Sequence, residues 1–282
     1  METTSQLYWP ACLTDPTGRR ERKPRSRGKT MVIDKGLGLR AFEDMLDASG
    51  EHIDLIKLGF GTSPLYPPRV LARKIALARA HGVDIMPGGT FLEVAVQQNE
   101  TKRYFEAVIR LGYTAMEVSD GTIDLDRGLR SDLIREGVNR GLMVVTEYGK
   151  KRPGSRIDVE RLIETIRIDA ACGAALITVE GRESGVGVGF YNEKGRAEES
   201  EIEEVVQQVR RPNLILWETP LKSQQVQFLN LLGPDVNLGN IAPEDVLSLE
   251  ALRRGLRSDT FGLGCAAGRA KLEERLLPAG EE

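Results

Sequence analysis

The sequence predicts an α/β protein. A single (β/α)8 TIM barrel is expected over residues 23–262, with an N-terminal extension at 1–22 and a C-terminal tail at 263–282. Three observations carry this. Eight apolar segments, each ending near Gly, Pro or a charge, alternate with amphipathic stretches. They recur every 22 to 39 residues, the length of one strand–helix unit. No G-x-G-x-x-G turn follows the first segment, which sets the barrel ahead of a doubly wound open sheet.

The strands are read at 31–36 (MVIDKG), 53–60 (IDLIKLGF), 83–89 (VDIMPGG), 114–120 (TAMEVSD), 142–149 (LMVVTEYG), 175–181 (ALITVEG), 214–220 (LILWETP) and 236–241 (VNLGNI). Their near-continuous apolar character fits strands buried on both faces. Between them, PPRVLARKIALARAHG opens on proline and stops at Gly82. DVERLIETIRIDAACG has Asp158 as an N-cap and ends on Gly173. EESEIEEVVQQVRR puts acids in its first turn and arginines at its end, as the helix dipole prefers. APEDVLSLEALRRGLR carries Pro243 in its first turn, and GRAKLEERLLPAGEE reads as a short terminal helix with a frayed end.

Composition narrows the function. The chain is 40% hydrophobic and 29% charged, enough for a sizeable core under a solvated surface. Its formal net charge of -3 gives no reason to expect nucleic acid as a partner. No apolar run approaches a membrane span, and the first residues lack an apolar signal core. Cys12, Cys172 and Cys265 are far apart and odd in number, which suits a reducing cytoplasm. A cytoplasmic protein that touches neither membrane nor nucleic acid is expected, and barrels of this size often form homo-oligomers. The basic stretch Gly18–Arg27 reads either as an anion-binding arm or as a solvated leader. His52 precedes the second strand and His81 ends a helix, so both are assigned structural roles.

In such a barrel the chemistry lies at the C-terminal ends of the strands. Those ends offer Asp34 and Lys35, then Lys57, then Gly88, Gly89 and Thr90. Four consecutive strands follow with Glu117, Glu147, Glu180 and Glu218, and the eighth ends on Gly239 and Asn240. Converging glutamates repel one another unless cations offset them. Lys35, Lys57, Lys150, Arg182 or a divalent metal are available, and oxygen ligands without histidine suit Mg2+. The competing reading is a lysine–glutamate network at the rim. Lys57, flanked by Ile56 and Leu58, is costly to bury unless paired; it reads as a tuned acid or base, or as an ion-pair partner. The glycines at 88, 89 and 239 could cradle an anion at a helix start or simply make tight turns. Arg182 and Ser184 sit in a glycine-rich loop, either a flexible cover suited to an anion or a plain mobile loop.

Seven segments in order resemble the phosphosulfolactate synthase family: KPRSRGKTMVIDKGLG, IDLIKLGFGTS, PGGTFLEVA, MEVSDGTI, VTEYGKK, VEGRESG and VNLGNIAPEDVLSLEALRRGLRSDT. The likeness runs from Lys23 to Gly262. It implies a Mg2+-dependent barrel that adds sulfite to phosphoenolpyruvate, giving (R)-2-phospho-3-sulfolactate, the first step of one route to coenzyme M. Strand position then distributes the roles. Lys35 and Lys57 are the candidates for the proton donor and for charge stabilisation. Glu117, Glu147 and Glu180 are expected to bind the metal, with Glu218 as a fourth. Arg182 and Ser184, with the first-strand pair Asp34–Lys35 and with Lys23 and Arg25, would hold sulfite or carboxylate. Gly88, Gly89, Thr90, Gly239 and Asn240 would hold phosphate. On this view Asp34–Lys35 ends the first strand at the catalytic mouth, and Gly36 and Gly38 turn the chain away; the alternative is a structural ion pair at a tight turn. The resemblance extends to plant heat-stress-associated proteins, so a non-catalytic barrel is one alternative. Another phosphoenolpyruvate or enolate lyase, or an aldolase, is a second.

Overall fold

The computed structural model describes residues 9–152 and 154–265. Eight strands form one parallel sheet: β1 (Thr30–Asp34), β2 (Leu55–Leu58), β3 (Asp84–Pro87), β4 (Ala115–Ser119), β5 (Met143–Tyr148), β6 (Leu176–Val179), β7 (Ile215–Glu218) and β8 (Asn237–Ile241). Their order is β3-β2-β1-β8-β7-β6-β5-β4, so β1 pairs with β8 and the sheet curls into a ring. The ring is nearly closed between β3 and β4, where Thr114 N donates to Ile85 O at 3.3 Å and Ile85 N donates to Thr114 Oγ1 at 3.0 Å. This is the expected (β/α)8 barrel, and each strand lies within its anticipated segment except β1, which starts one residue earlier, at Thr30.

The helices are α1 (Ala11–Thr14), α2 (Leu39–Ser49), α3 (Pro68–Ala80), α4 (Gly89–Gln97), α5 (Thr101–Leu111), α6 (Arg127–Asn139), α7 (Val159–Ala171), α8 (Glu199–Gln208), α9 (Lys222–Leu232) and α10 (Val246–Arg253). Local chemistry sets their ends. Pro68 opens α3, and Asp158 Oδ1 accepts Arg161 N at 3.1 Å to cap α7. Two ends differ from expectation. α8 stops at Gln208, and Arg210 and Arg211 lie beyond it, because Pro212 forces the residue before it out of helical geometry. Pro243 opens a separate 3-10 turn, Pro243–Asp245, ahead of α10. The expected terminal helix at 268–282 falls outside the described residues. No described helix is long and apolar enough to cross a membrane.

Side chains alternate along each strand. One set, including Val32, Ile56, Val118 and Trp217, joins the large apolar layer between sheet and helices. The other set points into the barrel, where Met31, Leu55, Met86, Ala115, Val145, Leu176 and Leu216 form a separate apolar floor. Two residues further along β2, β4, β5 and β7 come Lys57, Glu117, Glu147 and Glu218, all buried. The interior therefore changes from apolar to ionic within one pleat.

The basic stretch near the N-terminus is neither a free arm nor a solvated leader. Arg25 is 5% exposed and bonds Asp54 at 3.1 Å and Glu51 O at 2.6 Å. Lys23 Nζ donates to Gly50 O and His81 O, and Arg20 forks onto Glu250 at 2.9 and 3.0 Å. These partners precede β2 and β3 or lie on α10, so the stretch packs under the N-terminal end of the barrel. Lys23 and Arg25 are thus at the end opposite the strand-end glutamates, and the anion contact expected of them is replaced by packing. His52 joins the same cluster, 3.7 Å from Glu250, while His81 Nδ1 lies against Leu77 O at 2.9 Å. Cys172 is buried, and Cys12 and Cys265 are exposed.

Candidate active site

A cavity opens at the C-terminal end of the barrel. It is lined by Ile33, Lys57, Phe60, Gly89, Thr90, Glu147, Lys151, Glu180, Arg182, Glu183, Glu218 and Asn240. At its base Lys57 Nζ lies 2.8 Å from Glu147, 2.9 Å from Glu117 and 3.3 Å from Glu218. Burial opposes charge on this lysine, but the three carboxylates override it and hold the ammonium well above its ordinary range.

Each glutamate is fixed by a second contact. Gly89 N donates to Glu117 at 2.6 Å, Gly181 N to Glu218 at 3.0 Å and Arg182 N to Glu180 at 2.6 Å. Glu147 is held from the other side by Lys151 at 2.8 Å. Burial would raise the Glu147 carboxyl, yet Lys151 and Lys57 keep it well below the usual range. Burial raises Glu117 to about 7, against the pull of Lys57. Burial first, then Glu147 and Glu218, push Glu180 far above the usual carboxylate range.

These shifts express an unbalanced charge. Four buried carboxylates face the two ammonium groups of Lys57 and Lys151. Glu147, Glu180 and Glu218 each present one oxygen, and the three oxygens lie within 4.8 Å of one another. Glu180 Oε2 is buried with no hydrogen-bond partner. A divalent cation among these oxygens would supply the missing charge, and an all-carboxylate set fits Mg2+. Glu117 stands apart from this trio, locked between Lys57 and Gly89. The oxygens that could hold a cation therefore come from Glu147, Glu180 and Glu218, and the expected ligand Glu117 falls outside that group.

Several other candidates are not brought into the cavity. Asp34 faces outward from β1, where Lys74 Nζ approaches to 2.6 Å with neither side chain exposed. Its other oxygen accepts Gly36 N and Leu37 N at 2.8 and 2.7 Å. Asp34 is thus the structural member of an ion pair at a tight turn, with Lys74 as partner rather than Lys35, which is exposed outside the cavity lining. The glycines do not offer free N–H groups: Gly88 N donates to Leu58 O at 2.9 Å and Gly89 N to Glu117. Gly239 lies inside β8, where a Cβ would come within 2.8 Å of Met31 Cε, so its role is packing. Ser184 is exposed and away from the lining.

Gly89, its N–H committed to Glu117, and Thr90, Arg182 and Asn240 do line the cavity. The β1–β8 register shifts at the eighth strand's end, and Asn240 adopts a left-handed backbone (φ 54°). This bulge turns a side chain that strict alternation would send outward into the mouth. The Arg182 guanidinium makes no hydrogen bond or ion pair with the described residues. Its loop is no loose cover: Tyr191 OH donates to Glu218 O at 2.6 Å, and Gln224 Nε2 clamps Gly185 O and Gly195 O at 2.7 and 3.1 Å.

Lys151 is the main site residue that strand-end reading missed. Lys150, its neighbour, points away to Asp124 at 2.8 Å and to Asp120 O at 2.6 Å. Both lysines follow β5 in the same GKK sequence, and only the turn geometry selects one. Lys151 Nζ also reaches Thr90 Oγ1 at 3.4 Å across the mouth.

Comparison with known proteins identifies relatives of the whole barrel. The family model described as (2R)-phospho-3-sulfolactate synthase (ComA) matches residues 18–259. The phosphosulfolactate synthase of Methanothermobacter thermautotrophicus is 39% identical over 252 residues, covering 89% of this chain and 96% of that protein. Those of Methanocaldococcus jannaschii and Bacillus subtilis are 40% and 33% identical, over 84% and 86% of this chain and 94% and 96% of theirs. Among solved structures, the BexX/CysO complex of Amycolatopsis orientalis aligns with a TM-score of 0.51 at 17% identity, over 94% of this chain and 96% of that one, a likeness of fold alone. An enzyme's cavity at the working end of the barrel, and kinship over nearly the whole of it, lead to one conclusion: the chain belongs to the (2R)-phospho-3-sulfolactate synthase family.

Proposed function

We propose that this protein adds sulfite to phosphoenolpyruvate to give (R)-2-phospho-3-sulfolactate, with Mg2+ held by Glu147, Glu180 and Glu218. The observation that carries the reading is the convergence, in one strand-end cavity, of three buried carboxylates, a cavity-facing lysine and an arginine whose guanidinium has no partner among the described residues. The chemistry asks for this set. The sulfur lone pair of sulfite forms a bond to the methylene carbon, C3. The C2–C3 π pair shifts to C2 and delocalises into the carboxylate. A proton delivered to C2 completes the product. When bound, the cation supplies positive charge where negative charge grows on that carboxylate.

Lys151 is the proton donor in this reading. Its Nζ faces the cavity, its side chain is 27% exposed, and its nearest carboxylate is Glu147 at 2.8 Å, with Glu180 at 3.9 Å. Burial works against its charge, but Glu147 keeps the ammonium protonated, above its ordinary range. After giving a proton to C2 it is left neutral and is recharged from solvent. Lys57 cannot serve equally, because three carboxylates enclose it. Lys57 instead holds the glutamates at their spacing. Arg182 and Asn240, at the rim with Thr90, meet the anionic groups of the substrates. The same lysine states oppose a Schiff-base aldolase, which needs a readily neutralised amine.

The test is direct. Purified protein is incubated with phosphoenolpyruvate and sulfite, with and without Mg2+, and products are read by mass spectrometry. Phosphosulfolactate that appears only with both substrates and the metal supports the reading. Phosphoenolpyruvate consumed without sulfite moves the protein to another enolate reaction.

A further inference from the structure

The cavity lip contains an aromatic residue held in a left-handed backbone conformation. Four described non-glycine residues have positive φ: Phe60 (56°), Asn99 (57°), Arg182 (58°) and Asn240 (54°). Three of these four line the cavity. Asparagine tolerates this region, whereas a bulky side chain is strained there. Phe60 also leaves 42% of its surface exposed and belongs to neither apolar cluster of the barrel. Strain and apolar exposure together at a cavity edge point to a role in the site.

The surroundings enforce the conformation. Phe60 lies between Gly59 and Gly61, and its backbone sits in a notch over Gly88. A Cβ at Gly88 would come within 2.5 Å of Phe60 O and 2.9 Å of Phe60 N. Phe60 follows β2, while Arg182 follows β6, four strands away around the eight-stranded ring. Lys151 follows β5, three strands from β2. Phe60 therefore lines the mouth from a strand end across the ring from those that carry Arg182 and Lys151.

We infer that Phe60 is a stereocontrol residue, its ring covering the face of C2 turned away from Lys151. The inference rests on the sulfite-addition reading. Once the C3–S bond has formed, C2 is planar and has two open faces. A proton from Lys151 Nζ to one face makes a C2–H bond of one hand and leaves a neutral amine. A proton from water on the other face makes the mirror product and leaves hydroxide. An apolar ring over that second face keeps water out and secures a single hand, in keeping with the (2R) product in the family's description.

The experiment is chiral analysis of the product made by wild type, Phe60→Gly and Phe60→Leu, with a thermal melt of each. Glycine relieves the left-handed backbone, so Phe60→Gly melts at or above the wild-type temperature. Its product loses enantiomeric purity, with the (2S) form appearing beside (2R). Phe60→Leu retains an apolar cover and keeps a single hand. Only (2R) product from Phe60→Gly, at whatever rate, overturns the inference. So does a folded Phe60→Gly protein that makes no product, because a shield contributes selectivity and not bond formation. A wild type that makes no phosphosulfolactate refutes the reaction itself, an outcome visible before any variant is compared.

Discussion

Lys57 Nζ lies 2.8 Å from Glu147 Oε2 in the barrel interior, with Glu117 and Glu218 completing a three-carboxylate cage around it. The lysine is 5% exposed, and these carboxylates lie above a wholly apolar floor. Removing one member of such a buried cluster strands the charge of the others. Lys57→Met is therefore expected to cost about 3–5 kcal/mol of stability, read by urea unfolding. Adding Glu117→Gln should restore part of that loss, because Glu117 has no role in the proposed cation site. Equal stability of Lys57→Met and wild type would mean the cage is not formed.

Lys151 and Lys150 separate chemistry from packing. Lys151→Ala should lower kcat by about 100-fold or more, in the range for loss of a positioned acid. Lys150→Ala should leave kcat near wild type, since its ammonium binds Asp124 and two carbonyls outside the cavity. Steady-state rates of the two variants settle the matter. A larger loss from Lys150→Ala would exchange their roles.

Glu180 tests the cation site without relying on turnover. Its buried carboxylate lacks a hydrogen-bond partner on one oxygen and is pressed by Glu147 and Glu218. Metal-free Glu180→Gln should melt higher than metal-free wild type, because a repelled charge is gone. Wild type should gain about 2.7 kcal/mol when Mg2+ reaches 100 times its Kd, and the variant should gain far less at the same concentration. Identical Mg2+-dependent melting shifts in both proteins would remove Glu180 from the site.

The closed end of the barrel carries a pH dependence of its own. Burial would raise the Glu250 carboxyl, but Arg20 outweighs it and lowers the group to about 2 from an ordinary 4.5. The native state thus favours the ionised form. Its contribution is fully present above pH ~4.5 and disappears as pH falls toward ~2, amounting to about 3 kcal/mol. Denaturant melts across that window should show Glu250→Gln losing less stability on acidification than wild type. Parallel curves would mean Glu250 is not the group that titrates.

The barrel was legible in the sequence because most strands are near-continuous apolar runs ended near a charge or a glycine, as Leu142–Val145 shortly before Glu147 illustrates. Period-two alternation also aligned Leu176, Thr178 and Glu180 on one inward face, as the structure has them. The exceptions arise where alternation stops. Asp34 lies one residue past the inward Ile33, and so faces α3 and Lys74 instead of the cavity. Lys150 and Lys151 follow the strand, where turn geometry alone decides which side chain faces in. The Gly18–Arg27 stretch looks like an anion-binding arm because its acidic partners, Asp54 and Glu250, are remote in sequence. Phe60 gave no signal at all, since a left-handed backbone at an aromatic residue has no composition to mark it.

The most direct test of the central claim is the position of the proton gained in the reaction. Sulfite and phosphoenolpyruvate are converted in D2O and the product is analysed by NMR. Sulfite attack at the methylene carbon followed by protonation predicts one deuterium at C2 and none at C3. Deuterium at C3, with no C3–S bond, would show that the cavity protonates the methylene carbon, and would contradict sulfite addition as its chemistry.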